Sequence, residues 1–269
     1  MTAMNADAIW SLLTAVRGRQ PLVHNITNFV AMNNTANALL ALGASPAMVH
    51  SCDEVEDFVA LSQAVVINIG TLYSEQIAAC KLAAIRARAA GIPWILDPVG
   101  AGATPYRRRA AEALVRLRPS VIRGNGSEIL TLVRQTGEGR GVDSLHSSET
   151  AVDAARMLAA ETSAVVAITG AVDYVTDGTQ VIAIANGHPL MACVTGLGCS
   201  ATVIIGAFLA VEHDPFMATV AGLAVFGVAG EIAAEQAKGP GSLQVAILDA
   251  LYGLEQGSLA QRLRLRDVA

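Results

Sequence analysis

Charge is scarce in this chain: Asp, Glu, Lys and Arg make up 15% of its 269 residues, and the formal net charge is −5. So slight and acidic a balance gives no general attraction to nucleic acid or anionic lipid. The basic clusters Arg107–Arg109 and Arg262, Arg264, Arg266 read as solvated helix faces, so neither nucleic acid nor a membrane is expected as a partner. Cysteine is sparse as well. Cys52, Cys80, Cys193 and Cys199 form no C-x-x-C pair, which argues against a disulfide framework or a zinc site and makes a reducing cytoplasm the simplest setting. The histidines His24, His50, His146, His188 and His213 show no metal-ligand spacing. Long apolar runs are missing too: Ala201–Val211 and Phe216–Gly230 fall short of the about 18 residues of a membrane span and are separated by Glu212, His213 and Asp214. Their Gly and Ala content points instead to close helix packing in a core. The first residues carry one acid, Asp7, and no basic segment before an apolar one, so no signal peptide is expected.

What is abundant is apolar surface, 53% of the residues, and at this length roughly three quarters of the unfolded surface can be buried without staples. Short apolar runs, Leu22–Ile26, Ala47–Val49, Ala64–Ile69, Trp94–Leu96, Val121–Arg123 and Val165–Thr169, have the length and flanking Gly, Pro, Asn or Asp of buried parallel strands. Helical patterns lie between them at Phe29–Leu42, Tyr73–Ala90, Tyr106–Leu117 and Glu149–Ala160. Ser51 or Asp53 suits a helix cap before Phe58, and Thr104 before Pro105 reads as a cap with Pro in the first turn. Val172–Val175 and Gln180–Ala185 flank an Asp177-Gly178 turn and predict a hairpin. From Leu197 onward only helices are expected. No linker, repeat or low-complexity tract divides the chain, so residues 1–269 are expected to form one three-layer α/β/α domain with a mostly parallel central sheet.

In such a sheet a ligand sits beyond the carboxyl ends of the strands. The polar residues there are Asn25 and Asn28, Asn68 and Gly70, Asp97, Arg123 with Asn125 and Glu128, and Thr169 with Gly170. Asp97, followed by Pro98, Gly100 and Gly102, suits either Mg²⁺ or a helix cap. Asn125 and Glu128, three apart at a helix start, can face one phosphate or ion, or form a capping box. Arg123 beside them suits bidentate phosphate contact. Further on, Thr195-Gly196-Leu197-Gly198-Cys199 opens an apolar helix, and a Gly-rich turn before a helix offers free N–H groups to an anion. It is neither a P-loop, which needs Gly-Lys-Ser/Thr, nor a dinucleotide fingerprint. Met48 alone reads as core filler, and Asn25 and Asn28 equally as turn residues.

Together these segments resemble the ribokinase-like kinases, and within them the hydroxyethylthiazole kinase family. The match is carried by His24-Asn25-Ile26-Thr27-Asn28, Asn33-Asn34-Thr35-Ala36-Asn37, Gly43-Ala44-Ser45-Pro46-Ala47-Met48, Asn68-Ile69-Gly70-Thr71-Leu72, Asp97-Pro98-Val99-Gly100-Ala101, Arg123-Gly124-Asn125, Thr169-Gly170 and Thr195-Gly196-Leu197-Gly198-Cys199. It runs from about Pro21 to about Leu243; Leu197 departs from it, standing where the family pattern has a hydroxyl residue. The resemblance implies ATP as co-substrate, Mg²⁺, a 4-methyl-5-(2-hydroxyethyl)thiazole acceptor in thiamin biosynthesis, no separate lid domain, and a cytoplasmic homotrimer with sites at subunit interfaces. It assigns Met48, Gly196 and Asn25 to substrate, Arg123, Thr169, Asn125 and Gly198 to ATP, and Asp97 and Glu128 to the metal. Cys199 falls where larger relatives carry the Asp that accepts the alcohol's proton. Two rivals remain open at this point. A nucleotide-dependent dehydratase repairing hydrated nicotinamide cofactors would carry Asp in place of Cys199, and a nucleotide-sensing module would not need Asp97, Asn125 and Glu128 together.

Overall fold

A computed structural model of the chain describes residues 4–133 and 148–268; His146 lies outside them. In chain order the elements are α1 (Ala6–Arg19), β1 (Leu22–Ile26), α2 (Met32–Leu42), β2 (Ser45–Ala47), α3 (Val55–Leu61), β3 (Ala64–Asn68), α4 (Ser74–Ala90), β4 (Trp94–Asp97), α5 (Pro105–Val115), β5 (Val121–Asn125) and α6 (Gly126–Val133). There follow α7 (Ser148–Thr162), β6 (Val165–Thr169), β7 (Asp173–Thr176), β8 (Val181–Ile184), a 3₁₀ turn at Pro189–Cys193, α8 (Leu197–Leu209), α9 (Pro215–Gln236), α10 (Pro240–Tyr252), α11 (Gln256–Arg262) and β9 (Leu265–Asp267).

Among the described residues the strands form one sheet in the order β2-β1-β3-β4-β5-β6-β7-β8-β9. It is parallel from β2 through β6 and antiparallel from there on. Buried side chains of α1, α2, α8, α9 and α10 form a core on one face, and those of α3 to α7 form a core on the other. The two-sided burial explains why the central strands are apolar without alternation: all five residues of β3 are buried. The chain leaves β1 through α2 to β2 on one flank, then returns through α3 to β3 on the other. That reversal opens a crevice at the carboxyl ends of β1 and β3.

Several expectations need correction. The helix α1 escaped the sequence reading, although Asn5 caps it by accepting the Ala8 N–H at 2.9 Å and Pro21 follows its end. β2 lies two residues earlier than Ala47–Val49, because its ladder to β1 starts at Ser45 opposite Leu22. Neither Ser51 nor Asp53 caps α3; Glu54 occupies the cap position without a side-chain bond, and the Ser51 hydroxyl and Asp53 bond each other. Thr104 does cap α5, accepting the Arg107 N–H. The tail is not wholly helical. β9 joins the edge of β8, held where Ala185 N–H meets Arg264 O at 3.0 Å and Arg264 N–H meets Asn186 Oδ1 at 2.8 Å. Arg264 and Arg262 are accordingly ion-paired, to Glu231 and Glu235, and are not a free helix face.

The run Phe216–Gly230 belongs to a longer helix than expected. At 22 residues α9 is long and apolar enough to cross a membrane, but 83% of its apolar window is buried inside the protein. It packs against α8 so closely that a Cβ on Gly222 would lie 3.0 Å from the Ile205 Cα, so the small residues there serve helix contact.

Candidate active site

The strand ends around the crevice are wired by side-chain amides. Asn28, just past β1, is almost fully buried; its Oδ1 accepts the Ala31 N–H at 2.9 Å, and its Nδ2 donates to Asn68 Oδ1 at 2.9 Å and to Cys199 Sγ at 3.4 Å. Asn68, the last residue of β3, accepts the Gly70 N–H at 2.9 Å and donates to Asp97 Oδ2 at 2.8 Å and to Cys199 Sγ at 3.2 Å. Gly70 has to lack a side chain, because a Cβ there would fall 2.7 Å from Asn28 Nδ2.

Asp97 ends β4 with no exposed surface. Its Oδ2 also accepts Thr202 Oγ1–H at 2.7 Å and lies 3.7 Å from Arg123 Nη1, while Oδ1 is buried without a partner. Burial pushes this carboxyl up to about 6, against the opposing pull of the Arg123 guanidinium. Arg123, itself buried in β5, donates to the Thr169 hydroxyl at the end of β6. Its guanidinium lies directly under α8: a Cβ on Gly198 would come within 2.9 Å of Arg123 Nη1.

Above this floor stands the first turn of α8. Gly196 adopts φ +81°, the left-handed region that a side chain would resist, and its carbonyl accepts the first helical N–H, from Ser200. The preceding N–H groups of Leu197, Gly198 and Cys199, in the first turn of α8, have no backbone acceptor among the described residues. Three donors and the helix dipole thus stand beside the Arg123 guanidinium, an arrangement that can hold an anion.

The hydroxyethylthiazole kinase family model matches residues 13–257. The chain belongs to this family. It is 57% identical over 253 residues to a hydroxyethylthiazole kinase of Granulibacter bethesdensis, covering 94% of this chain and 92% of that one. It is 50% identical to one from Zea mays, over 95% and 92% of the two chains. A solved hydroxyethylthiazole kinase from Pyrococcus horikoshii OT3 superposes with a TM-score of 0.92 at 44% identity, over 98% of this chain and 100% of that one. A pyridoxal kinase from Staphylococcus aureus in complex with ADP reaches a TM-score of 0.61 at 18% identity and 79% and 88% coverage, a likeness of fold alone. The fold is ribokinase-like, as expected.

Against this background the expected residues fall into different places. Asp97, Arg123, Thr169, Gly196, Gly198 and Cys199 converge on the crevice. Asn125 and Glu128 form the capping box that their spacing also allowed: the Asn125 N–H meets Glu128 Oε2 at 2.8 Å, and the Glu128 N–H meets Asn125 Oδ1 at 3.0 Å. Glu128 Oε1 further accepts the Gly100 N–H at 2.9 Å, so this carboxylate ties the loop after β4 to the start of α6. Asn25 is fully buried; its amide donates to Thr35 Oγ1 at 3.0 Å and to Met48 Sδ at 3.4 Å, and so supports Met48 from behind. The imidazole of His50 bridges Met48 O and Thr27 N–H, each at 3.1 Å, tying the loop after β2 to the end of β1.

Other members had been given no role or went unforeseen. Asn68 was legible only as a polar strand end, and Thr202, one turn beyond Cys199, was hidden in the apolar run of α8. Asp173 accepts the Gly170 N–H at 2.9 Å beside Arg123, and burial pushes its carboxyl up to about 6. Arg107 is not a solvated helix charge: its guanidinium donates to Ile69 O at 2.7 Å, Gly70 O at 2.6 Å and Val99 O at 3.1 Å. It thereby fixes the loops that follow β3 and β4.

Proposed function

We propose that the chain transfers the γ-phosphoryl group of ATP to the alcohol of 4-methyl-5-(2-hydroxyethyl)thiazole, in thiamin biosynthesis or salvage. The observation that carries this reading is the unpartnered first turn of α8 standing over buried Arg123 and Asp97, in a chain of the hydroxyethylthiazole kinase family. Phosphoryl transfer passes through a loose transition state, so it needs positioning and charge stabilisation more than covalent chemistry. The N–H groups of Leu197, Gly198 and Cys199 and the Arg123 guanidinium supply fixed donors for the charge on the transferring group. Arg123, Thr169, Asn125 and Gly198 hold ATP, while Met48 and Gly196 hold the thiazole, with Asn25 setting the Met48 thioether.

Asp97 and Glu128 are the carboxylates that would hold Mg²⁺, Asp97 through its unpartnered Oδ1 and Glu128 through the lone pairs left by its bonds to the Gly100 and Asn125 N–H groups. Mg²⁺ is held by one or two carboxylates plus phosphates, so this sparse donor set suits it; when bound it neutralises phosphate charge. Cytoplasmic residence is part of the same proposal. The deciding assay incubates the protein with Mg-ATP and either the thiazole alcohol or hydroxymethylpyrimidine. The thiazole is expected to be the better substrate by kcat/KM, and more efficient turnover of the pyrimidine would refute the assignment.

The working form is a homotrimer whose sites lie at subunit interfaces. Phe29 and Val30 support this, being 62% and 60% exposed immediately after the crevice residue Asn28. Apolar side chains at the mouth of a polar site invite cover from a neighbouring subunit. Light scattering at assay concentration is expected to give three times the 27.8 kDa chain mass; a fully active monomer would rule the interface out.

A further inference from the structure

We propose that Asn28 and Asn68 are positioning residues for phosphoryl transfer, acting as an amide clamp on the Cys199 sulfur. The inference rests on the kinase reading above. Their orientation is dictated by the hydrogen-bond network and not by choice of amide flip. Asn28 Oδ1 is committed to the Ala31 N–H, which turns Nδ2 toward Asn68 and Cys199. Asn68 Oδ1 is committed to the Gly70 N–H and the Asn28 amide, which turns its Nδ2 toward Asp97 and Cys199. Each NH₂ thus spends one hydrogen on a neighbouring oxygen and the other on sulfur, so the inventory of donors is used in full.

The sulfur therefore receives two N–H groups, one from the loop just past β1 and one from the end of β3, while its own backbone belongs to α8. A residue that merely packed the helix start would need no such donors, and burying two primary amides is costly unless every polar atom is bonded. The clamp instead favours negative charge at position 199, opposing burial and the nearby Asp97 carboxylate, which push the thiol up. In the step it serves, the alcohol O–H bond breaks and its proton passes to the Cys199 thiolate. The alcohol oxygen bonds to the γ-phosphorus, and the bond from that phosphorus to the ADP oxygen breaks, ADP leaving with the electron pair. The thiol then returns its proton to solvent.

Asn28 is the decisive position, because Asn68 also touches Asp97. Steady-state kinetics on Asn28→Ala are expected to show kcat lowered roughly 10- to 100-fold, with KM for both substrates within about threefold, the signature of an interaction realised in the transition state. Asn28→Asp keeps the volume and the Ala31 N–H acceptor but removes both donors, and a similar loss is expected; it serves if the alanine variant folds poorly. In a Cys199→Ala background either change is expected to lower kcat by no more than about a further twofold, since residues acting through one another are not additive. Equal losses in both backgrounds, or KM effects with kcat unchanged, would overturn the clamp. If the unsubstituted protein fails to phosphorylate the thiazole alcohol, the kinase reading itself falls; if it succeeds while Asn28→Ala and Asn28→Asp keep full kcat, only the clamp does.

Discussion

Replacing Arg123 by alanine is expected to lower kcat/KM for ATP by roughly 10³-fold while leaving thiazole affinity within a few-fold, as for loss of a preorganised charged donor in a desolvated site. The guanidinium is buried, held by Thr169, and pressed against the Gly198 backbone, so it needs no reorganisation to meet phosphate oxygens. Its removal has a second consequence. Asp97 loses its nearby cation, 3.7 Å away, and its carboxyl, already raised to about 6, moves further up. Protonation of Asp97 would then weaken ion and phosphate handling in the same direction. Arg123→Lys separates the two effects. It retains a charge for Asp97 but not the planar fork, and should recover only part of the ATP activity. Kinetics in each substrate, together with calorimetry of the thiazole, measure both arms; equal losses for ATP and thiazole would make Arg123 a structural residue.

The parts of this site that were legible in the sequence share one property: their residue type is unusual for the local element. An Asp or Arg in a buried strand costs too much to be there idly, so Asp97 and Arg123 stood out, and Gly196-x-Gly198 stood out against the apolar helix it opens. Spacing alone could not separate the roles of Asn125 and Glu128, since the same i, i+3 geometry serves a cap or a ligand; the structure shows the capping bonds, and the ligand roles belong to the proposed kinase reading. Asn68 and Thr202 were obscured for opposite reasons: asparagine is ordinary at a strand end, and one threonine inside Ala201–Val211 barely perturbs a helix read as core. Arg107 was misjudged because its stem lets a charge on an exposed helix reach backbone carbonyls in the loops beside the crevice. The fold was readable from β1 to β8, where apolar runs and turns alternate. It failed at β9, a three-residue strand whose identity depends on the edge it meets rather than on its own pattern.

Cys199 offers the sharpest test of how that fold is used. Burial, and next the charge of Asp97, push its thiol up to about 11, against the Asn28 and Asn68 amides and the Arg123 charge. The helix N-terminus therefore does not make it a standing thiolate at neutral pH. If the rare thiolate accepts the alcohol's proton, kcat rises with pH through the alkaline range, because the base is lost as pH falls below the raised value. Cys199→Ala should then lower kcat by roughly 10²-fold, the small end of the range for losing a general base, since a loose transition state keeps the alcohol's proton until late. Cys199→Asp places in the same position a carboxylate that ionises at lower pH and that can accept the two amide N–H groups. Like charge from Asp97 holds its carboxyl above the ordinary value, but not near 11. Substantial activity is therefore expected to survive in the Asp variant at neutral pH, with the rise in kcat moved to lower pH and with thermal stability near normal in both variants. The opposite order is what a small packing residue predicts: alanine nearly harmless, and aspartate damaging through its charge beside the phosphates. Finding that order, with a pH profile unchanged by either substitution, would leave the backbone donors of α8 and the Arg123 charge as the whole of the catalytic machinery.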